Sequence, residues 1–275
     1  LCRQFGGEEG TLAFAAQLRG QPVLCVPALR GVHLFGQSKP RTYAALTSEQ
    51  VRNHVLGICD RILSRGYDLN IWAYARVDTV KDEFLDKLAR AGFRWLALGI
   101  ESGSKHVRDG VEKGRFGSTE ILKAVKKIQD AGINVIGNYI FGLPDDTHAS
   151  MQETLDLALE ANCEFANFYC AMAYPGSKLY GLAVEKRWQL PESWIGYSQH
   201  SYESLPLRTE TLSSAEVLKF RDDAFHRYFT DAGYLGMAQR KFGEDVFAHL
   251  HDMTKIRLRR KLLETNTVPA PLAAA

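Results

Sequence analysis

Cysteine is scarce in this chain: five residues in 275, at Cys2, Cys25, Cys59, Cys163 and Cys170, far too scattered for a disulfide framework or a CxxC metal site. Small secreted scaffolds and zinc ribbons are excluded. No apolar run reaches the roughly 18 residues of a membrane-spanning helix, and no basic stretch followed by a short apolar one opens the chain as a secretory leader would. Charge of one sign is lacking too, with 34 Lys and Arg against 32 Asp and Glu, so neither a nucleic-acid surface nor an acidic tail is indicated. Of the eight histidines, those at 54, 106, 148, 200, 226, 249 and 251 show no HExxH or other paired-ligand spacing, and solvated or core roles are the default. The cysteines read as reduced thiols and the protein as cytoplasmic. It opens on Leu1 rather than Met, which is consistent with a fragment.

The chain has 45% apolar residues, enough for a sizeable core. From about residue 48 it alternates helix-like and strand-like segments, the signature of repeated βα units around a parallel sheet. Ser48 to Arg65 reads as a helix with Val51, Val55, Ile58, Ile62 and Leu63 as its apolar stripe, and Tyr67 to Ala75 as the strand after it. Lys81 to Arg90, Ser118 to Ala131 and His148 to Ala161 read as further helices. Strands are expected at Phe93 to Ile100, Ile133 to Phe141 and Glu164 to Ala171. Gly66, Gly92 and Gly132 stop three of the helices. Four strands of this kind fit either a barrel segment or an open doubly wound sheet, and both put reactive groups at the strands' C-terminal ends.

Four domains or segments are expected: an irregular stretch over 1–46, the βα segment over 47–187, a helical appendage over 188–264 and a frayed Pro- and Ala-rich tail over 265–275. The appendage divides into helices near Ser213 to Phe229, Tyr234 to Phe242 and Glu244 to Leu263. In the last of these Ile256, Leu258, Leu262 and Leu263 are expected to face a core, with Lys255, Arg257, Arg259, Arg260 and Lys261 on a solvated face. Trp188, Trp194, Tyr197 and Tyr202 either close the mouth of the barrel or fasten the appendage to it.

The strand ends carry polar and glycine-containing clusters that would converge on one rim. Arg76 suits a carboxylate as a bidentate donor, Glu101 an ammonium, and Ser102 and Asn138 hydroxyls, which together describe a pocket for a zwitterionic nucleoside. Each cluster also has a bland explanation. Arg76 with Asp78 makes a surface ion pair, Asp145 and Asp146 start the helix near His148, and a glycine after a strand serves a turn.

The stretches Trp72-Ala73-Tyr74-Ala75-Arg76-Val77-Asp78, Gly99-Ile100-Glu101-Ser102-Gly103-Ser104, Gly137-Asn138-Tyr139-Ile140-Phe141-Gly142-Leu143-Pro144 and Tyr174-Pro175-Gly176-Ser177-Lys178-Leu179-Tyr180 resemble, in order and spacing, the later half of a radical S-adenosylmethionine (radical SAM) core domain. The resemblance covers about residues 48–263 and is to the branch that often carries a cobalamin-binding domain. It implies an α/β fold, a partial (βα) TIM-type barrel with its first strands absent or altered and a C-terminal helical appendage. It further implies S-adenosylmethionine, a small-molecule cofactor, and a [4Fe–4S] cluster, reductive cleavage to a 5′-deoxyadenosyl radical, an unknown substrate and a reductase or flavodoxin-type electron donor. Cobalamin would enter only through a domain absent here, and no nucleic-acid or membrane partner is implied. Residue by residue, Glu101 and Ser102 match the position near the methionine and ribose, Asn138 that near the ribose or adenine, Tyr174, Pro175 and Gly176 the turn near adenine, and Arg76 a strand end with a carboxylate role. The family's CxxxCxxC triplet, which would ligate three irons, is missing from the sequence, so no metal ligand is assigned. Phe5-Gly6-Gly7-Glu8 matches the family's GGE only by coincidence. The expected function is therefore that of a truncated or cluster-deficient radical SAM protein, the alternative being a non-catalytic remnant that binds a nucleoside or a protein through the same rim.

Overall fold

A computed structural model describes residues 48–110 and 117–265. The expectations for residues 1–46, the Phe5-Gly6-Gly7-Glu8 match and the tail beyond Thr265 lie outside the described residues. Helix α1 (Ser48–Ser64) directs Val55, Cys59, Ile62 and Leu63 at the core, positions spaced i, i+4, i+7 and i+8. Ile58, expected inward, is 43% exposed, and the fully buried Cys59 takes its place. Strand β1 (Ile71–Arg76) starts four residues later than its hydrophobicity indicates, because Tyr67 to Asn70 are solvent-exposed. Helix α2 (Asp82–Arg90), strand β2 (Phe93–Glu101), the short α3 (Lys105–Gly110), helix α4 (Ser118–Asp130), strand β3 (Asn134–Phe141), helix α5 (His148–Ala161) and strand β4 (Phe165–Cys170) follow. Apart from α3, which the sequence reading lacks, these match the expected segments to within two residues.

The four strands are parallel and lie in the order β1-β2-β3-β4. A doubly wound sheet reverses its strand order and carries helices on both faces. This one does neither. Alternate residues Leu96, Leu98 and Ile100 of β2, Val135, Tyr139 and Phe141 of β3, and Ala166, Phe168 and Cys170 of β4 share one core cluster with Leu85 and Leu88 of α2, Ile121, Val125 and Ile128 of α4, and Met151 and Leu155 of α5. Helices α2, α4 and α5 therefore cover one face, which makes the sheet an arc of a βα barrel. The opposite, concave face carries Trp72, Tyr74, Arg76, Gly99, Asn138 and Asn167, none of them in that cluster.

After α6 (Lys178–Glu185) the appendage contributes α7 (Ser214–Phe229), α8 (Ala232–Phe242), α9 (Glu244–Lys255) and α10 (Lys261–Thr265). Helix α7 takes the place of the helix that would follow β4: Val217, Leu218, Ala224, Tyr228 and Phe229 belong to the same core cluster. The free edge of β4 is sealed by side chains. Gln199 donates from Nε2 to the Cys170 carbonyl and accepts from its N–H, both at 2.9 Å, and Arg221 Nε donates to the Phe168 carbonyl at 2.8 Å.

The single helix expected over Glu244 to Leu263 is two. The chain leaves helical geometry between Lys255 and Lys261 so that Arg260 can be buried, where it grips Asp222 through Nε (2.8 Å) and Nη2 (2.9 Å) and donates to the Gln199 and Ser201 carbonyls. Arg260 is therefore not on a solvated face, and Ile256 (65% exposed) and Leu258 (43%) are not on a core. Leu262 and Leu263 do pack inward.

Candidate functional site

Parallel pairing fixes a row across the C-terminal half of the sheet. Arg76 is in register with Gly99, Gly99 with Asn138, and Asn138 with Asn167, so these four positions share the concave face at a strand spacing of about 4.8 Å. Asn167 Nδ2 donates to Asn138 Oδ1 at 2.9 Å, and Asn138 Nδ2 donates to the Leu98 carbonyl at 3.2 Å. The two amides thus hold each other in fixed orientations.

Glu101 enters this row from above. It is buried, and its φ of +66° is the left-handed conformation that non-glycine residues rarely adopt. The pairing of β2 with β3 shifts register between Gly99 and Glu101, which turns the carboxylate back over the strand. A Cβ placed on Gly99 would stand 3.1 Å from Glu101 Oε1, so the glycine leaves the space that the carboxylate occupies.

What enforces this kink lies behind it. The Thr154 hydroxyl, fully buried on α5, accepts from the Gly103 N–H at 2.8 Å, bonds the Ser102 hydroxyl at 3.1 Å and donates to the Ser150 carbonyl at 2.9 Å. The buried Arg108 donates to the Ser102 carbonyl, and Ser118 Oγ to that of Gly103 at 3.3 Å. Gly103 sits so close to α5 that a Cβ there would be 2.4 Å from the Glu153 carbonyl oxygen. The loop is bolted to the helix.

Of the residues singled out from sequence, the fold brings Arg76, Glu101 and Asn138 into one row. Arg76 is already engaged: its guanidinium donates to both carboxylate oxygens of Asp78, at 3.0 and 2.8 Å, with both side chains well exposed. The hydrogen bond from Arg76 outweighs partial burial and lowers the Asp78 pKa. Ser102 is turned away from the row into α5. Tyr174, Pro175 and Gly176 form a separate turn after β4, closed by the Ser177 N–H to the Tyr174 carbonyl at 3.0 Å, with proline second and glycine (φ +84°) third as a type II turn requires. Tyr174 stacks on Tyr197 at 5.6 Å, and Trp194 leans on Tyr197 at the same distance. Trp188 packs instead with Leu207 and Ala183, and Tyr202 bonds Glu264. Asp146 accepts from the Leu143 N–H (2.9 Å) and from Ser150 Oγ (2.6 Å), which is loop and helix-start chemistry, while Thr147 is the N-cap of α5. Burial raises the Asp146 pKa.

Sequence reasoning missed Asn167 and Thr154 as parts of the arrangement, while Gly99 stood in the strand-end cluster it picked out. Asn167 had a signal, a polar residue on the concave face of an otherwise apolar and aromatic strand. Thr154 had none, because its partners lie some 50 positions away.

The cysteines among the described residues do not fit an iron–sulfur cluster. Cys59, Cys163 and Cys170 lie at separate places in the fold and are buried in the helix-side core. Burial pushes the thiols of Cys163 and Cys170 up to about 12, whereas ligation needs thiolates. Cys2 and Cys25 lie outside the described residues.

Comparison with known proteins gives a match to a family over part of the chain. Residues 40–158 match the model of the radical SAM superfamily. An uncharacterized methyltransferase of Pyrococcus horikoshii is 27% identical over 147 residues, 54% of this chain and 32% of that protein. The bacteriochlorophyllide d C-8(2)-methyltransferase of Chlorobaculum tepidum is 24% identical over 133 residues, 48% of this chain and 30% of the relative. Among solved structures, a radical S-adenosylmethionine methyltransferase from Kitasatospora setae, with cobalamin and a [4Fe–4S] cluster bound, aligns with a TM-score of 0.40 at 18% identity, over 45% of this chain and 26% of that one. The chain spans about a third of the length of the curated relatives it matches. The helix-covered arc of parallel strands, with polar residues gathered at the C-terminal rim, thus coincides with a segment, residues 40–158, that matches the radical SAM superfamily.

Proposed function

We propose that the concave rim of this arc binds S-adenosylmethionine and that the chain is the nucleoside-holding part of a radical SAM protein of the methyl-transfer class. The observation that carries the reading is Glu101: a buried carboxylate in a strained backbone conformation, aimed over Gly99 into the row of Arg76, Asn138 and Asn167. Strain of this kind costs of order 1–3 kcal/mol and persists where the surroundings over-determine it, here through Thr154 and Arg108.

In this reading Glu101 receives the ammonium of the methionine moiety and Asn138, fixed by Asn167, a ribose hydroxyl. The turn of Tyr174, Pro175 and Gly176 borders the adenine. Ser102 acts through the loop, by tying Glu101 to α5, and Arg76 meets a carboxylate only by exchanging Asp78 for it. The methyl-transfer class rests on the names of the matched relatives. A [4Fe–4S] cluster, where bound, supplies the electron that cleaves S-adenosylmethionine. Its ligands are not among the described residues, and the role assigned to these side chains is binding and orientation alone. An electron donor and any cobalamin belong to the whole protein's activity. Among the described residues no helix is long and apolar enough to cross a membrane.

Equilibrium dialysis of the 275-residue chain with labelled S-adenosylmethionine tests the reading. Saturable binding that weakens at least about tenfold in Glu101→Gln, with the melting temperature held, is the expected result. Binding indifferent to Glu101→Gln and Asn138→Ala, or no binding, removes it.

A further inference from the structure

The appendage holds a cavity of about 370 Å³, at the small end of the range that binds small molecules. It lies where α9 ends and the chain departs from helical geometry. Its apolar wall is Phe225, Met253, Ile256, Leu258 and Leu263, and the two exposed members, Ile256 and Leu258, were left uncovered when Arg260 was drawn inward.

The polar wall has a charge imbalance. The ionisable groups facing the cavity are Lys219, Arg221, Asp222, Asp223, His226 from α7, His200 from the loop before it, and Arg257 from the segment after α9. Lys219 is paired with Asp223. Asp222 is shared between Arg221 at 2.7 Å and Arg260 at 2.8 Å, so that one carboxylate answers two guanidinium groups. Arg257 has no ion-pair or hydrogen-bond partner among the described residues. Among the described residues the lining groups therefore carry one positive charge in excess, on Arg257 beside the apolar wall, and the buried Arg260 adds a second behind Asp222.

We propose that this cavity is a binding site for a small organic anion, a carboxylate or sulfonate with an apolar body, whose charged end is met by Arg257 and whose body lies against Phe225, Met253 and Leu258. The imidazoles report the same field. Burial and then Arg257 lower the pKa of His226 against the opposing pull of Asp222 and Asp223, and burial with Arg221 and Arg260 lowers that of His200. An anion seated beside Arg257 reverses that contribution, so the His226 titration midpoint rises when the site is filled. The site is independent of the S-adenosylmethionine reading, because it shares no residue with the rim.

Octanoate is the probe, with octanamide as its neutral counterpart, titrated into the 275-residue chain and followed by the imidazole proton signals, with His226 identified by its loss in His226→Gln. The expected result is saturable binding of octanoate, an upward move of the His226 midpoint, and at least about tenfold weaker binding of octanamide and of octanoate to Arg257→Glu. Arg257→Lys should retain most of the affinity. Arg257 is exposed and makes no hydrogen bond or ion pair among the described residues, so the melting temperature of both variants should match the parent and a binding loss cannot be laid to unfolding. Absence of saturable octanoate binding overturns the proposal, as does octanamide binding equally well or Arg257→Glu binding as the parent does.

Discussion

Replacing Asp222 by alanine leaves two guanidinium groups, on Arg221 and Arg260, buried without a counter-ion. Removing one partner of a buried, hydrogen-bonded charge pair costs about 3–5 kcal/mol. Here the lower end applies, since Asp222 keeps 19% of its side-chain exposure and the cations keep the Phe168, Gln199 and Ser201 carbonyls as acceptors. At about 3 kcal/mol, in a body of some 200 residues, the melting temperature falls by about 6–12 °C. Asp222→Asn keeps the volume and removes only the charge, so it should account for most of that loss. Asp252→Ala, which breaks only an exposed pair with Lys255, should leave the melting temperature where it was. Thermal melts followed by circular dichroism at neutral pH measure all three. The pH dependence gives a second handle. Burial raises the Asp222 pKa, but the hydrogen bonds from Arg260 and then Arg221 outweigh it, and the net pKa lies below the ordinary 3.8. Its contribution is therefore fully present above the unfolded carboxylate's pKa and is lost as pH falls through the lower, folded value. The gap between parent and Asp222→Ala should be flat above about pH 5 and narrow below pH 4. An Asp222→Ala chain melting within about 2 °C of the parent would refute the account of the appendage as fastened by this carboxylate.

Three further outcomes follow from the same geometry. Gly103→Ala forces a Cβ against the Glu153 backbone and should destabilise the chain by about 1–3 kcal/mol in urea titrations, whereas Gly99→Ala, facing only the flexible Glu101 carboxylate, should cost little stability. Thr154→Val strands the buried Gly103 N–H and should cost about 1–3 kcal/mol, while Thr154→Ser restores most of it; equal stabilities of the two variants in the same titration would contradict the bolted loop. Cys163 and Cys170, buried with thiols near 12, should resist iodoacetamide at pH 8 until denaturant is added, as read by peptide mass spectrometry.

The βα rhythm was legible because it is local. Helix His148 to Ala161 matches residue for residue, since an apolar period of 3.6 and its flanking caps all lie within one segment. The rim was legible in part: Arg76, Glu101 and Asn138 stand at strand ends, and register alone sets them in a row. The orientation of Ser102, the kink at Glu101 and the pairing of Arg76 with Asp78 depend on which neighbour wins a hydrogen bond. The broken helix after Lys255 illustrates the limit. Ile256, Leu258, Leu262 and Leu263 keep a plausible helical spacing, but burying Arg260 against Asp222, 38 residues earlier, overrides it.

The seal on β4 also bears on the order in which the molecule can be made. An open strand edge is a template for any other extended chain, including another copy of itself. The groups that close this edge arrive late in synthesis: Gln199 follows Cys170 by 29 residues and Arg221 follows Phe168 by 53. The arc must therefore pass through an interval in which its last strand is formed and still adhesive. Arg260, which holds the Gln199 carbonyl and Asp222 together, is added later still. The C-terminal helices thus serve the nascent chain as its guard against aggregation, and truncating them should appear first as insolubility.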